Sequence, residues 1–217
     1  MKALVLLFLA LLLGLPAHAA TVSISLSSNG GPKFATSAGD LLVNGSVIRI
    51  GVFNVAGLNL TTLQTSNDYN TINALFQPMG EGLANAGTVT QSGNSGSQLV
   101  INSLIGSGNV LGQISNVEST YYTTGTQLYA WVFNSATPDS ATEWGIFTAT
   151  TGWNFPSALG SETLATFEVN NVIRGSSTGG VTSADQLRLS NVPEPGSALL
   201  LLAAACLLPR RRRLAAL

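Results

Sequence analysis

The stretch from residue 126 to residue 133 constrains the fold more than any other part of the chain. From Gln127 it reads Gln-Leu-Tyr-Ala-Trp-Val-Phe, with apolar side chains at consecutive positions. Successive side chains of a β-strand point to opposite faces of a sheet, so this strand presents apolar groups on both faces. Such a strand must be covered on both sides. The pattern therefore predicts a central strand in a sandwich or in another covered sheet.

Several other short segments have the pattern of strands, separated by turns rich in Gly. We expect residues 143–148 to pair with residues 126–133 as an antiparallel hairpin. The spacing of the strands predicts a mainly β protein, with an antiparallel β-sandwich or a jelly-roll-like body. The remaining predicted strands are residues 21–26, 46–54, 110–117, 163–169 and 186–189.

One segment has a different period. Its apolar side chains are spaced by three, three and one: Tyr69, Ile72, Leu75 and Phe76. This spacing is typical of one face of an α-helix. We therefore expect one short helix over residues 68–77, capped by Ser66 or Asn67 and ended by Pro78 and Gly80.

The segment between the two termini carries little charge. Charged residues make up 9% of the chain, where about 25% is usual. Four basic and nine acidic residues lie between Ala20 and Val192, so this segment is mildly acidic. It lacks the cluster of Lys and Arg that nucleic-acid binding requires, and we expect no nucleic-acid partner.

His18 and Cys206 are the one His and the one Cys of the sequence, and both lie outside residues 20–191. The Ser-His-Asp and Cys-His arrangements of nucleophilic catalysis are therefore excluded from this segment. Zinc sites built from these ligands and disulfide bonds are excluded as well. We expect no cofactor and no bound metal.

Carboxylates remain as candidate catalysts. A glycosidase places two of them roughly 5 to 10 Å apart across a sugar, and Asp139 and Glu143 flank a turn near three tryptophans. The competing interpretation is that acids scattered over a β-rich surface serve solubility. This interpretation favours a protein that is not an enzyme, and it leaves a glycan-active hydrolase as a remote alternative.

Aromatic side chains suggest a second kind of site, a platform on which sugar rings stack. The competing interpretation is packing in the core, which fits Trp131 best because it lies in a continuous apolar strand. Trp144 and Trp153 are the candidate glycan contacts, and they make a carbohydrate-binding module the alternative function. The full aromatic set is Tyr121, Tyr122, Trp131, Trp144 and Trp153.

Residues 1–19 have the features of a secretory signal peptide. Met1-Lys2 is a short positive start, residues 3–15 are apolar, and Ala17-His18-Ala19 is a cleavage site with small residues at Ala17 and Ala19. Cleavage after Ala19 would make Ala20 the first residue of the mature chain, in which we expect residues 20–191 to form an exported β-rich domain. The expected partners at this end are the Sec machinery and signal peptidase.

Residues 192–217 contain three consecutive parts: Val192-Pro193-Glu194-Pro195-Gly196, an apolar run to Leu208, and Arg210-Arg211-Arg212-Arg213. As a helix, residues 196–208 would span roughly 20 Å, short of the bilayer core of about 30 Å. The long arginine side chains extend the span and place this end in the cytoplasm. We therefore expect a single C-terminal transmembrane helix, anchored by Leu199, Leu200, Leu201, Leu202, Leu207, Leu208 and the four arginines.

In this order and position, the three parts resemble the PEP-CTERM sorting signal of Gram-negative bacteria that make exopolysaccharide. The resemblance covers residues 192–213, about a tenth of the chain. It implies recognition by exosortase, a membrane enzyme similar to transpeptidases, and processing near Pro193-Glu194-Pro195. Residues 127–156 are similar to a recurring core segment of other PEP-CTERM proteins, which supports the fold and adds no chemistry.

The two ends together predict the path of the protein. We expect export, transient anchoring in the inner membrane with the C-terminus in the cytoplasm, and delivery to the cell envelope, the cell surface or the extracellular matrix. The expected role there is structural or adhesive, in association with exopolysaccharide.

Overall fold

The computed structural model describes residues 21–54, 60–80, 88–91, 98–102, 107–118, 122–157 and 160–192. Within these ranges the protein is mainly β, with largely antiparallel sheets and two short helices, which confirms the predicted fold class at that level. The predicted signal peptide, the apolar run and the arginine cluster lie outside the described residues.

The strands are β1 (Thr21–Ser27), β2 (Lys33–Ala35), β3 (Val47–Phe53), β4 (Phe76–Met79), β5 (Thr88–Gln91), β6 (Leu99–Val100), β7 (Leu111–Glu118), β8 (Tyr129–Phe133), β9 (Glu143–Thr148), β10 (Ser161–Ala165), β11 (Asn171–Arg174), β12 (Ser176–Ser177), β13 (Gln186–Arg188) and β14 (Ser190–Asn191). The helices are α1 (Leu60–Thr65) and α2 (Tyr69–Asn73), and Pro138–Ser140 and Thr166–Glu168 form short 3-10 turns.

The larger sheet has the strand order β11-β9-β8-β3-β4, with β14 paired to β9 and β6 paired to β3. β8 lies between β3 and β9, and all five of its side chains are buried. The predicted central strand and its antiparallel pairing with Glu143–Thr148 are confirmed. β8 begins later than predicted because the backbone groups of Thr126 and Leu128 bond to Phe155 and Trp153 instead.

The smaller sheet has the order β10-β1-β7-β5 and packs on one face of the larger sheet. Its inward side chains include Ile24 and Leu164, which share one hydrophobic core with Ile50 and Phe147 of the larger sheet. A third small sheet, β12-β13-β2, contributes Phe34 and Leu187 to the same core. In this sheet β12 pairs antiparallel with β13, and β13 pairs parallel with β2.

The helical segment differs from its prediction. Instead of one helix over residues 68–77, α2 ends at Asn73, α1 precedes it, and Phe76–Met79 is a strand that pairs with β3. The cap of α2 is Asp68 rather than Ser66 or Asn67, because its Oδ1 accepts a hydrogen bond from the Asn70 backbone at 3.0 Å. Phe76 joins the sheet because its ring packs on Phe53, with 4.9 Å between ring centroids.

The last predicted strands are shorter than expected. Residues 163–169 were expected to form one strand, but β10 begins at Ser161 and ends at Ala165, where the chain enters the Thr166–Glu168 turn. The Thr166 side chain is fully buried in that turn. β13 ends at Arg188, close to its predicted end.

Candidate functional site

The tryptophans that the sequence suggested as glycan contacts are buried. Trp131 and Trp153 have 0% of their surface exposed and Trp144 has 1%. A sugar ring stacks only on an open aromatic face. This corrects the prediction for Trp144 and Trp153, which are core residues. Tyr122 is also buried, and its hydroxyl donates to the Pro78 carbonyl at 2.6 Å; Tyr121 lies outside the described residues.

Two of these tryptophans belong to an aromatic cluster on the side of the larger sheet that faces away from the main core. The ring of Trp131 lies 4.8 Å from that of Phe133 and 6.0 Å from that of Trp144, measured between centroids. Leu63 of α1 and Ile72 of α2 are fully buried against this cluster, so the helices cover it. The aromatic cluster consists of Phe53, Tyr69, Phe76, Tyr129, Trp131, Phe133 and Trp144.

Two buried arginines connect the aromatic cluster to the helices. The Arg49 guanidinium lies 5.2 Å from the Trp131 ring and donates to Asn73 Oδ1 at 2.7 Å. The Arg174 guanidinium lies 5.0 Å from the Trp144 ring, and it donates to Asn67 Oδ1 at 2.7 Å and to the Ser66 carbonyl.

Both arginines are 6% exposed. Burial lowers the pKa of Arg174. These cation–π contacts and hydrogen bonds hold the helical segment in place. The two guanidinium groups therefore serve the packing of the molecule, and neither is open to a large ligand.

The candidate catalytic carboxylates have different surroundings. Both oxygens of Glu143 accept hydrogen bonds from Ser37, one from its backbone N–H at 2.8 Å and one from its hydroxyl at 2.9 Å. Asp139 is exposed in the Pro138–Ser140 turn. Glu143 therefore fixes the loop that contains Ser37, and this bonding favours a structural role over a catalytic one.

Two other acids, Glu162 and Glu168, interact with each other, which the sequence pattern did not indicate. Burial raises the pKa of Glu162; a hydrogen bond from the Trp153 backbone opposes this change, and the charge of Glu168 adds to it. Trp153, which supplies this N–H, and Gly152 before it both have positive φ, of 48° and 78°. Glu162 therefore holds a proton at a higher pH than an isolated carboxyl group.

The smaller sheet has one face against the core and one face open to solvent. We call the open face the polar face and define it by its outward side chains: Ser23, Ser25, Thr90, Gln113, Ser115, Ser161 and Thr163. These residues carry hydroxyl or amide groups and no charge. Leu111, which is 50% exposed, lies at the end of β7 beside them. The face follows from the alternation of each strand, since Ile24, Ile114 and Leu164 point inward.

One row of the polar face crosses all four strands. Thr163 pairs with Ser25, Ser25 with Gln113, and Gln113 with Thr90. Neighbouring strands lie about 4.8 Å apart, so the row is roughly 14 Å long. In the part of the chain that the structure describes, these four side chains form no hydrogen bond. Their polar groups are therefore available to solvent or to a ligand.

A shallow groove of about 280 Å³ lies at this row, lined by Ser25, Thr90, Gln91, Leu111, Gly112 and Gln113. Gln91 belongs to the wall of the groove, since its side-chain amide donates to the Val100 carbonyl and accepts from the Val100 N–H. These two bonds fix the end of β5. The groove thus combines a fixed wall with polar side chains that have free hydrogen-bonding capacity.

The predicted sorting residues lie outside the described residues, with one exception. The backbone N–H of Val192 donates to the Thr142 carbonyl at 2.8 Å, and its side chain packs against the aromatic cluster. Among the described residues, no three His, Cys, Asp or Glu side chains are grouped so that they could hold a metal ion. None of the described helices has the length and apolar character needed to cross a membrane.

No protein-family model, curated protein or solved structure matches this chain. The polar features described above are the two buried arginines, Glu143 with its bonds to Ser37, the Glu162–Glu168 pair and the polar face. The polar face is the one among them with the size and exposure to meet a macromolecule.

Proposed function

We propose that this protein is an exported component of the cell envelope or the extracellular matrix, sorted through a PEP-CTERM signal and processed by exosortase. The observation that carries the proposal is the order of three parts at the C-terminus: residues 192–196, the apolar run and residues 210–213. The signal peptide in residues 1–19 supports export. Before processing, the arginines would hold the chain in the inner membrane with its C-terminus in the cytoplasm.

The last described strand, β14, lies directly before the residues of this signal. Asn191, the last residue of β14, pairs with Glu143, and Val192 bonds to Thr142. The body therefore includes the chain up to Val192, and Pro193 follows directly. An enzyme that cuts near Pro193-Glu194-Pro195 would release the body without removing one of its described strands.

We further infer that the body is a two-layer β-sandwich with a structural or adhesive role, not a catalytic one. The rings of the aromatic cluster and the guanidinium groups of Arg49 and Arg174 pack in the interior, and the Glu143 oxygens are bonded to Ser37. Among the described residues, the smaller sheet presents an uncharged face of hydroxyl and amide groups to solvent. Such groups both donate and accept hydrogen bonds, which suits contact with exopolysaccharide.

The sorting proposal is tested in a Gram-negative host that contains an exosortase. Intact mass of the protein at the cell surface should show loss of the segment after the Pro-Glu-Pro motif. Glu194→Ala, or deletion of residues 210–213, should leave the full chain in the inner membrane. Asp139→Ala, which removes an exposed acid of the body, is the matched control and should be processed normally. Normal delivery of the Glu194→Ala and deletion variants would contradict the proposal.

A carbohydrate-binding module is the second candidate, and the polar face favours it. Such a module would hold the glycan by hydrogen bonds from the polar face rather than by stacking on tryptophans. A glycan-active hydrolase remains the remote alternative, and the Glu162–Glu168 pair is where it would be tested. Release of reducing sugar by the wild type but not by Glu162→Gln would support it.

A further inference from the structure

We propose that the polar face binds an extended, uncharged polysaccharide chain, laid across β10, β1, β7 and β5 along the row Thr163, Ser25, Gln113 and Thr90. The proposal rests on the proposed association with exopolysaccharide and names the surface that makes the contact. Each step of the row is about 4.8 Å, close to the length of one sugar unit in an extended glycan. Successive sugars would therefore meet successive strands.

The side chains of the row match the chemistry of a sugar. Ser and Thr hydroxyls donate and accept hydrogen bonds, and the Gln113 amide does both through separate atoms. Within the described ranges these groups have no partner in the protein, so binding would break no internal bond. The apolar side chain of Leu111, half exposed beside the groove, fits the apolar face of a sugar ring.

The charge of the surface selects a neutral glycan. None of the seven side chains that define the polar face is charged. The basic residues of the body lie elsewhere: Arg49 and Arg174 are buried at the aromatic cluster, and Lys33 and Arg188 belong to the third sheet. A uronate-rich glycan or a nucleic acid would lack cationic partners on the polar face.

The same surface is a poor match for a hydrophobic protein contact. Leu111 is the one large apolar side chain found exposed in the described part of this sheet, and a single leucine is far smaller than the apolar patches that mark protein interfaces. On binding, the hydroxyl groups of the polar face would have to exchange their bound water for hydrogen-bonding partners of matching geometry. A hydrated polymer with many hydroxyl groups meets this requirement better than an apolar surface does.

The test uses the full chain, solubilised in a non-ionic detergent, so that it does not depend on sorting or processing. Affinity electrophoresis is run in gels that contain hydroxyethylcellulose, dextran or polygalacturonate, at low and at high salt. We expect retardation by at least one of the two neutral glycans, unchanged by salt. The double variant Gln113→Ala with Thr163→Ala should bind at least about fivefold more weakly, because each substitution removes a hydrogen-bonding group.

The matched control is Gln64→Ala with Thr137→Ala, which changes the same residue types at exposed positions away from the polar face. Its affinity should equal that of the wild type, and the melting temperatures of all three proteins should agree. No retardation by either neutral glycan would overturn the proposal, as would salt-sensitive preference for polygalacturonate or equal weakening in the control. A self-association that the Gln113 variant abolishes would identify a second copy as the occupant and would also overturn it. Failure here with normal sorting would leave the proposed localisation intact.

Discussion

The two large sheets differ most on the sides that face away from their shared core. The larger sheet carries the aromatic cluster there, under α1 and α2 and held by Arg49 and Arg174. The smaller sheet carries the polar face, which is open to solvent. The difference separates the covered side, which stabilises the fold, from the open side, on which we propose that a glycan binds. Changes on one side should therefore leave the property of the other side intact.

The largest effect is expected at the centre of the aromatic cluster. Trp131→Ala removes a fully buried ring that contacts Phe133 and Trp144. The lost burial and the cavity should lower the free energy of unfolding by about 3–5 kcal/mol. Denaturant unfolding of the purified variant measures this change. A loss below about 1 kcal/mol, typical of tolerated sites, would show that the covered side does not hold the fold together.

The next effect concerns the attachment of the helices. Arg174→Met keeps much of the side-chain volume but removes the hydrogen bonds to Ser66 and Asn67. Loss of hydrogen bonds to a charged group should cost about 2 kcal/mol. Amide exchange in α2 should become faster while exchange in β1 stays unchanged. The control is Arg188→Met, which changes a partly exposed arginine of the third sheet. An equal change of amide exchange in this control would contradict the role of Arg174 in holding the helices.

A smaller effect depends on pH. The pKa of Glu162 is raised in the folded protein, mainly by burial, so the folded state binds its proton more tightly than the unfolded state does. Protonated Glu162 therefore contributes stability that is fully present below the pKa of Glu162 in the unfolded state. This contribution is lost as the pH rises through the pKa of Glu162 in the folded state. Glu162→Gln should stabilise the protein at neutral pH by less than about 1 kcal/mol, given solvent screening.

Melting temperatures of the wild type and Glu162→Gln across the acidic and neutral range measure this contribution. The two proteins should converge as the pH falls below the unfolded pKa of Glu162. Glu168→Gln should give a smaller change of the same sign, because it removes the charge that adds to the raised pKa of Glu162. A variant that loses stability at neutral pH would contradict the raised pKa.

The smallest effect on stability is expected at the polar face. Gln113→Ala and Thr163→Ala remove exposed groups without internal hydrogen bonds, so each should change the free energy of unfolding by no more than about 0.5 kcal/mol. The same variants should weaken glycan binding. Thermal unfolding alongside the binding assay checks both properties. A large loss of stability at Gln113 would mean that the polar face also carries the fold.

Much of the difference between the two sheets could be predicted from the sequence, wherever the local pattern and the tertiary environment agree. The apolar run of β8 required cover on both sides, and the structure provides it. The alternation of β1 fixed which of its side chains face solvent. The polar face as a unit was not predictable, because β1 meets β7 and β10 through pairings between distant parts of the chain.

The predictions that were wrong or missing have the same cause, which is contact between distant parts of the chain. Ile72, Leu75 and Phe76 fit a helical period locally, but pairing with β3 and contact with Phe53 draw Phe76 into a strand. Trp153 stands among turn residues, yet its side chain turns into the main core beside Phe155. The Glu162–Glu168 interaction left no signal, because it depends on how a strand end and a 3-10 turn fold back toward Trp153. Tertiary contacts decided each of these cases.

The pairing of the chain's early and late strands has a kinetic consequence. Ser23 pairs with Ser161, and Lys33 pairs with Gln186. The early strands β1 and β2 therefore pair with strands that lie well over a hundred residues later in the chain. Topologies dominated by such distant contacts fold slowly, because the entropy of closing long loops is lost before the contacts form. β1 and β2 cannot complete these pairings until residues 161–188 have been made. In the proposed Sec export, that delay would leave these strands unpaired, so that the chain could cross the membrane in an extended form.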